Sequence, residues 1–156
     1  MRNTRHVVWA LIALLLPACG GSSGTSSTPV ATPAPAPTTR NVFSRNFSVG
    51  GNPSSDSVIF GFQDVSVPAA GQIEVIFDYT FATSDIDIVV TPTTCSDFTA
   101  AYNSQCTVHG SDKGPATATK RARTTFNLTA AGNIRIWIYN FTPAAESGVL
   151  NVLLTS

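Results

Sequence analysis

From Ile73 to Tyr79 the chain alternates with a period of two: Ile73, Val75, Phe77 and Tyr79 fall on one side of an extended backbone, Glu74, Ile76 and Asp78 on the other. The same period returns where Ile86, Ile88 and Val90 oppose Asp85 and Asp87, and where Ile134, Ile136 and Ile138 oppose Arg135, Trp137 and Tyr139. A helix would scatter these side chains around its axis, so the pattern commits the chain beyond Arg40 to strands. The spacing predicts strands over 41–49, 57–67, 72–81, 85–91, 118–128, 133–141 and 148–154, with Pro68-Ala69-Ala70-Gly71 and Ala130-Ala131-Gly132 as turns. Each strand has one apolar side that only a second sheet covers. The expected class is therefore all-β, a sandwich of about seven to eight antiparallel strands. Residues 95–114 lack sustained alternation and read as a loop, with a short helical turn at 96–102 capped by Ser96 or its neighbour.

Cys95 and Cys106 lie in that loop, and their pairing depends on where the chain resides. Arg2 and Arg5 precede ten apolar residues, Val7 to Leu16, which is the layout of an export signal and too short to span a bilayer. The run closes on Leu16-Pro17-Ala18-Cys19, which resembles the lipobox of bacterial lipoproteins. That resemblance implies cleavage before Cys19, its acylation, and a membrane partner reached through the lipid anchor. Gly20 replaces the aspartate that often retains such proteins at an inner membrane, so the expected location is the bacterial cell envelope, at the outer membrane, facing periplasm or cell surface. Export with Cys19 used for lipid leaves Cys95 and Cys106 as an even pair, for which a disulfide is the natural reading and a metal site lacks ligands.

Residues 19–40 are almost wholly Gly, Ser, Thr, Pro and Ala, and such a stretch cannot bury a core. The expected organisation is thus a signal peptide over 1–18, the lipidated cysteine and a tether over 19–40, and one β-sandwich domain over 41–156. Without Arg2 and Arg5 the exported chain has seven Lys and Arg against nine Asp and Glu, a balance that disfavours nucleic acid as a partner.

Two segments carry a second resemblance: Asp85-Ile86-Asp87-Ile88-Val89-Val90, and the run 131–140 followed by Gly148-Val149-Leu150-Asn151-Val152. They resemble the bacterial pre-peptidase C-terminal domains, over about 41–156 in order. The resemblance implies a jelly-roll-like β-sandwich, accessory roles beside secreted hydrolases, and, in some relatives, bound calcium.

Among residues that carry chemistry, the exported chain has one histidine, His109, beside Ser111 and Asp112. Adjacent loop residues point in different directions, so they make no catalytic triad, and no enzyme is expected. Asp85 and Asp87, two apart on one strand, share a face and form a candidate calcium pair; the alternative is ion pairing with Arg121 and Arg123. No other cofactor is expected. Lys120-Arg121-Ala122-Arg123 splits between two strand faces and reads as salt-bridged or edge-protecting. Arg135, Trp137 and Tyr139 share the face opposite the isoleucines; they form a binding face for an envelope protein or glycan if it is open, and a second packed face if a loop covers it. Asn46, Asn127 and Asn140 match the glycosylation sequon formally, a coincidence in an exported bacterial chain. The functional expectation is a membrane-anchored, non-catalytic binding or structural module; the alternative is a calcium-stabilised accessory domain acting on a separate secreted hydrolase.

Overall fold

In the computed structural model, residues 34–53, 59–81, 83–114 and 121–156 are described. The alternating runs form strands where the spacing predicts them: β1 (Thr39–Val49), β2 (Ile59–Val67), β3 (Gly71–Tyr79), β4 (Ile86–Pro92), β6 (Arg121–Leu128), β7 (Gly132–Asn140) and β8 (Glu146–Thr155). Two further elements lie in the stretch read as a loop: α1 (Phe98–Tyr102) and β5 (Gly110–Asp112). The helical turn is the expected one, with Asp97 as its cap, accepting from the Ala100 amide at 2.8 Å. The three residues of β5 are too few to show a period; partners define it, Val90 facing Gly110 and Ile88 facing Asp112. Cys19, the expected site of acylation, lies with the signal and most of the tether outside the described residues, as do the predicted strand starts at 57–58 and 118–120.

The strands build two four-stranded antiparallel sheets, in the orders β1-β8-β3-β6 and β2-β7-β4-β5. Successive strands alternate between the sheets through the first four, and β1 and β8 pair although they are far apart in sequence; this is jelly-roll winding. Between the sheets lie the residues that alternation placed inward: Ile73, Val75 and Phe77 of β3, Ile88 and Val90 of β4, Ile134, Ile136 and Ile138 of β7, and Leu150, Val152 and Leu154 of β8, all essentially without solvent exposure. Gly71 opens β3 at φ +152°, in the region that favours glycine, and a Cβ there would stand 2.5 Å from the Thr155 carbonyl oxygen. Among the described residues no helix is long and apolar enough to cross a membrane.

On the outside of the first sheet, β6 is an edge strand whose Arg121 and Arg123 pair with Asp78 and Glu74 of β3. Arg121 and Arg123 of the basic cluster are thus salt-bridged and on an edge, as the sequence suggests, while Lys120 lies outside the described residues. Its partners are not Asp85 and Asp87, because Ile76 faces Arg123 and Asp78 faces Arg121 in the β3–β6 register. The second sheet departs further from simple alternation. Its two central strands, β4 and β7, are buried on both faces over most of their length. What covers the outer face is the segment between β4 and β5, folded back over Val89, Trp137 and Tyr139.

Candidate functional site

The covering segment, 93–109, forms a lid over the middle of the second sheet. The Cys95–Cys106 disulfide, with Cα atoms 6.0 Å apart, closes it into a loop, as cysteine parity predicts. A bridge over so short a span stabilises by roughly 2–3 kcal/mol in the chain-entropy model. Cys95 and Ala101 of the lid pack on Val89, Trp137 and Tyr139 of the sheet as a second apolar cluster, bordered by Tyr102, Cys106, Val108 and Phe141. Hydrogen bonds tie lid to sheet: Tyr139 Oη donates to the Phe98 carbonyl at 2.8 Å and Arg135 Nη1 to the Cys95 carbonyl at 3.2 Å, while within the floor Trp137 Nε1 donates to Thr91 Oγ1 at 3.1 Å. Tyr102 Oη donates to Asp87 Oδ2 at 2.7 Å.

This arrangement corrects the sequence-predicted binding face. Trp137 and Tyr139 point away from the main core, as alternation requires, but each is only 1% exposed. An open aromatic face at Trp137 and Tyr139 is not what the fold presents, because the lid packs on both rings and takes up the Tyr139 hydroxyl, while Thr91 of β4 takes up the indole N–H. Arg135 alone of the three stays at the surface. Its Nε and Nη2 bond Asp64 Oδ1 and Oδ2, both at 2.7 Å, and this hydrogen bonding raises its pKa.

Solvent-facing aromatics appear one strand over, on the sheet edge. β2 directs Phe60, Phe62, Asp64 and Ser66 outward; Phe60 and Phe62 are 37% and 49% exposed, and Phe98 of α1 is 37% exposed. Phe60 and Phe98 stack face to face, centroids 4.1 Å apart and planes at 12°. The Arg135 guanidinium lies 4.4 Å from the Phe62 centroid, with Trp137 tilted against Phe62 at 5.4 Å. Gly61 sits between the two phenylalanines because the Phe47 ring of β1 occupies the space on the inner side; a Cβ there would approach that ring to 2.8 Å. The strand thus holds both rings against the sheet, with Phe98 stacked on Phe60 and Arg135 over Phe62, and leaves the rest of each ring at the surface. The site is therefore an aromatic platform, Phe98–Phe60–Phe62, ending on an Arg135–Asp64 pair.

Sequence reasoning passed over Phe60 and Phe62 because both faces of β2 are mixed: Ile59, Gly61, Gln63, Val65 and Val67 inside, Phe60, Phe62, Asp64 and Ser66 outside. The available signal was Val65 and Val67, which fix the inner face and so turn the phenylalanines outward with Asp64 and Ser66. A further depression of about 190 Å³ opens behind α1, lined by Phe98, Thr99, Tyr102, Asn103 and Tyr139.

The remaining candidates separate in space. Asp87 is buried beneath the lid; burial, and then Asp85 and Asp112, push its carboxyl up to about 6 against the opposing Tyr102 hydrogen bond. The Tyr102 and Tyr139 hydroxyls are raised by the same burial. Asp85 stands just before β4, and Asp85 with Asp87 supplies two carboxylates where calcium takes about six to eight oxygens. Among the described residues no group of three or more His, Cys, Asp and Glu side chains is placed to hold a metal ion. His109 stacks on Phe126 at 5.5 Å, its pKa lowered by burial, while Asp112 accepts from the Arg123 amide at 2.9 Å. Asn140, in one of the formal sequons, is fully buried and bonds the Gly50 and Ala144 carbonyls.

No family model and no curated protein matches the chain. Among solved structures it is similar to a carbohydrate-binding module from a Cellvibrio mixtus lichenase in complex with cellotriose, at 12% identity over 72% of this chain and 88% of that one, TM-score 0.39. It is also similar to the C-terminal carbohydrate-binding module of a laminarinase from Zobellia galactanivorans, at 12% identity over 75% and 98%, TM-score 0.38. A family two carbohydrate esterase from Cellvibrio japonicus matches at 14% identity over 78% of this chain and 34% of that one, TM-score 0.34.

Proposed function

We propose that the chain is a lipid-anchored lipoprotein of the bacterial cell envelope whose β-sandwich binds an envelope glycan on the Phe60, Phe62 and Phe98 face, without chemistry of its own. The observation that carries this is the aromatic platform itself. Three large rings lie together at the surface, Phe60 stacked on Phe98 and Phe62 braced by Trp137 and Arg135, so little rotamer freedom remains to be lost on binding. The face of a pyranose ring presents C–H groups that pack on such rings, and its hydroxyls match the donors and acceptors of Arg135 and Asp64 at the platform's end. The catalytic alternative finds little support, since His109 is engaged with Phe126 and Asp112 with the β6 backbone.

Affinity electrophoresis of the exported domain in gels carrying envelope polysaccharide tests the reading. Phe62→Ala is expected to weaken retention by tenfold or so, as truncated aromatic anchors do, while the thermal midpoint moves little because half of the ring is in water. Unchanged retention in Phe62→Ala, or no retention of the parent domain by any envelope glycan, would remove it.

The anchor rests on Leu16-Pro17-Ala18-Cys19. Two or three acyl chains, at about 0.8 kcal/mol per buried methylene, hold a protein to a bilayer in effect permanently. In cells fed a labelled fatty acid, the parent chain is expected to carry label and Cys19→Ala none. An unlabelled parent chain would refute lipidation.

A further inference from the structure

Past Phe62 the outer face of β2 does not end. The register sets Phe62 opposite Trp137, Asp64 opposite Arg135 and Ser66 opposite Asn133, and on the other side of β7, Thr91 faces Arg135. Ser66, Asn133 and Thr93, which follows the end of β4, therefore converge at one end of the sheet. There Asp64, Val65, Ser66, Thr93 and Asn133 line a furrow of about 400 Å³. Asp64 belongs to both parts: it bonds the guanidinium that lies over Phe62, and it forms one wall of the furrow. Aromatic platform and polar furrow are thus consecutive stretches of one track along β2. From Phe60 to Ser66 the strand advances six residues, about 20 Å at roughly 3.3 Å per residue.

On the reading that the Phe62 face takes a glycan, we infer that the ligand is a linear, uncharged polysaccharide laid along β2, with successive sugars on the phenylalanines and then in the Ser66–Thr93–Asn133 furrow. Length argues for a chain, since a track of about 20 Å exceeds any single sugar. Composition argues for neutrality. The furrow's lining contains hydroxyls, an amide and one carboxylate, and that carboxylate is held at both oxygens by Arg135. Arg135, whose guanidinium lies over Phe62, is already engaged by Asp64 and by the Cys95 carbonyl, and Arg45 reaches β2 only at Gln63, a position on the other face of the strand. A uronic-acid or phosphorylated chain would meet Asp64 with no free cation in the furrow lining, whereas neutral hydroxyls can both donate to Asp64 and accept from Asn133 and Ser66.

Gluco-, manno- and xylo-oligosaccharides of two and six residues, with galacturonic acid oligomers of the same lengths, test this by calorimetric titration against the parent domain, Phe62→Ala and Asn133→Ala. At least one neutral series is expected to tighten by tenfold or more from two to six residues. Asn133→Ala, an exposed position, is expected to weaken the six-residue ligand about fivefold, the scale of one lost hydrogen bond, and to leave the two-residue ligand unchanged. The galacturonic acid oligomers are expected to bind more weakly than the neutral series. If neutral ligands bind through Phe62 but length and Asn133→Ala make no difference, or the acidic oligomers bind best, the track is refuted while the glycan reading stands. If no oligosaccharide binds, and a pure envelope protein is held through Phe62 instead, the glycan reading itself falls.

Discussion

Trp137→Ala is expected to lower the stability of the domain by about 3–5 kcal/mol, the range for truncating a fully buried large aromatic. At about 4 °C per kcal/mol for a domain of this size, the thermal midpoint should fall by roughly 10–20 °C. The ring is 1% exposed and packs under the lid with Val89, Cys95 and Ala101, and its indole N–H is satisfied by Thr91. Removing it leaves a cavity between sheet and lid and strips Thr91 of its donor, so the transfer, cavity and hydrogen-bond losses add. Phe62, only one strand away and in contact with the same indole, should behave in the opposite way: little change in midpoint and a large change in binding. Urea titration of both variants separates the two roles. A Trp137→Ala midpoint within about 3 °C of the parent would mean that the lid does not seal this face.

That contrast between neighbours also marks how far the sequence could be read. Alternation assigned the inner faces of β3, β4 and β7 residue by residue, because a strand has two sides and the isoleucines and valines choose one. It could not say what lies over the other side. For β7 the outward Trp137 and Tyr139 were consistent with an open face and with a covered one, and the cover is made by residues 93–109, which have no period of their own. The lid is held by contacts distant in sequence: Tyr139 to Phe98, Arg135 to Cys95, Tyr102 to Asp87. The disulfide was legible from parity and export alone, yet it fixes only where the loop closes, not which strand it lies on. Glu146 gave no signal at all. It starts β8 as a buried carboxylate that accepts from the backbone amides of Thr80 and Phe81 and from the Ser84 hydroxyl, and so fastens the β3–β4 turn, an arrangement visible only once the two ends of the chain pair. The platform on β2 fell between these cases, since its inner face carries Gly61 and Gln63 and therefore looks as polar as its outer one.

Asp87 gives the second large effect, one that depends on pH. Its folded-state carboxyl is raised from an ordinary 3.8 to about 6, chiefly by burial under the lid. Below pH 4 the group is protonated in both the folded and unfolded chains and its contribution to stability is fully present. Between pH 4 and 6 the unfolded chain releases a proton that the folded chain retains, so stability falls as pH rises; above about 6 the folded domain holds an ionised, buried carboxylate and the contribution is lost. The span corresponds to about 3 kcal/mol at 1.36 kcal/mol per pH unit. Asp87→Asn keeps an acceptor for the Tyr102 hydroxyl and removes the ionisation, so it should match the parent near pH 4 and exceed it by about 2–3 kcal/mol at pH 7.5. The surface pairs at Asp64, Glu74 and Asp78 are shared by both proteins and cancel in the difference. Urea midpoints of parent and variant at pH 4 and pH 7.5 measure that difference directly. Parallel pH profiles would mean that Asp87 ionises freely, which a carboxylate sealed between β4 and Tyr102 cannot do.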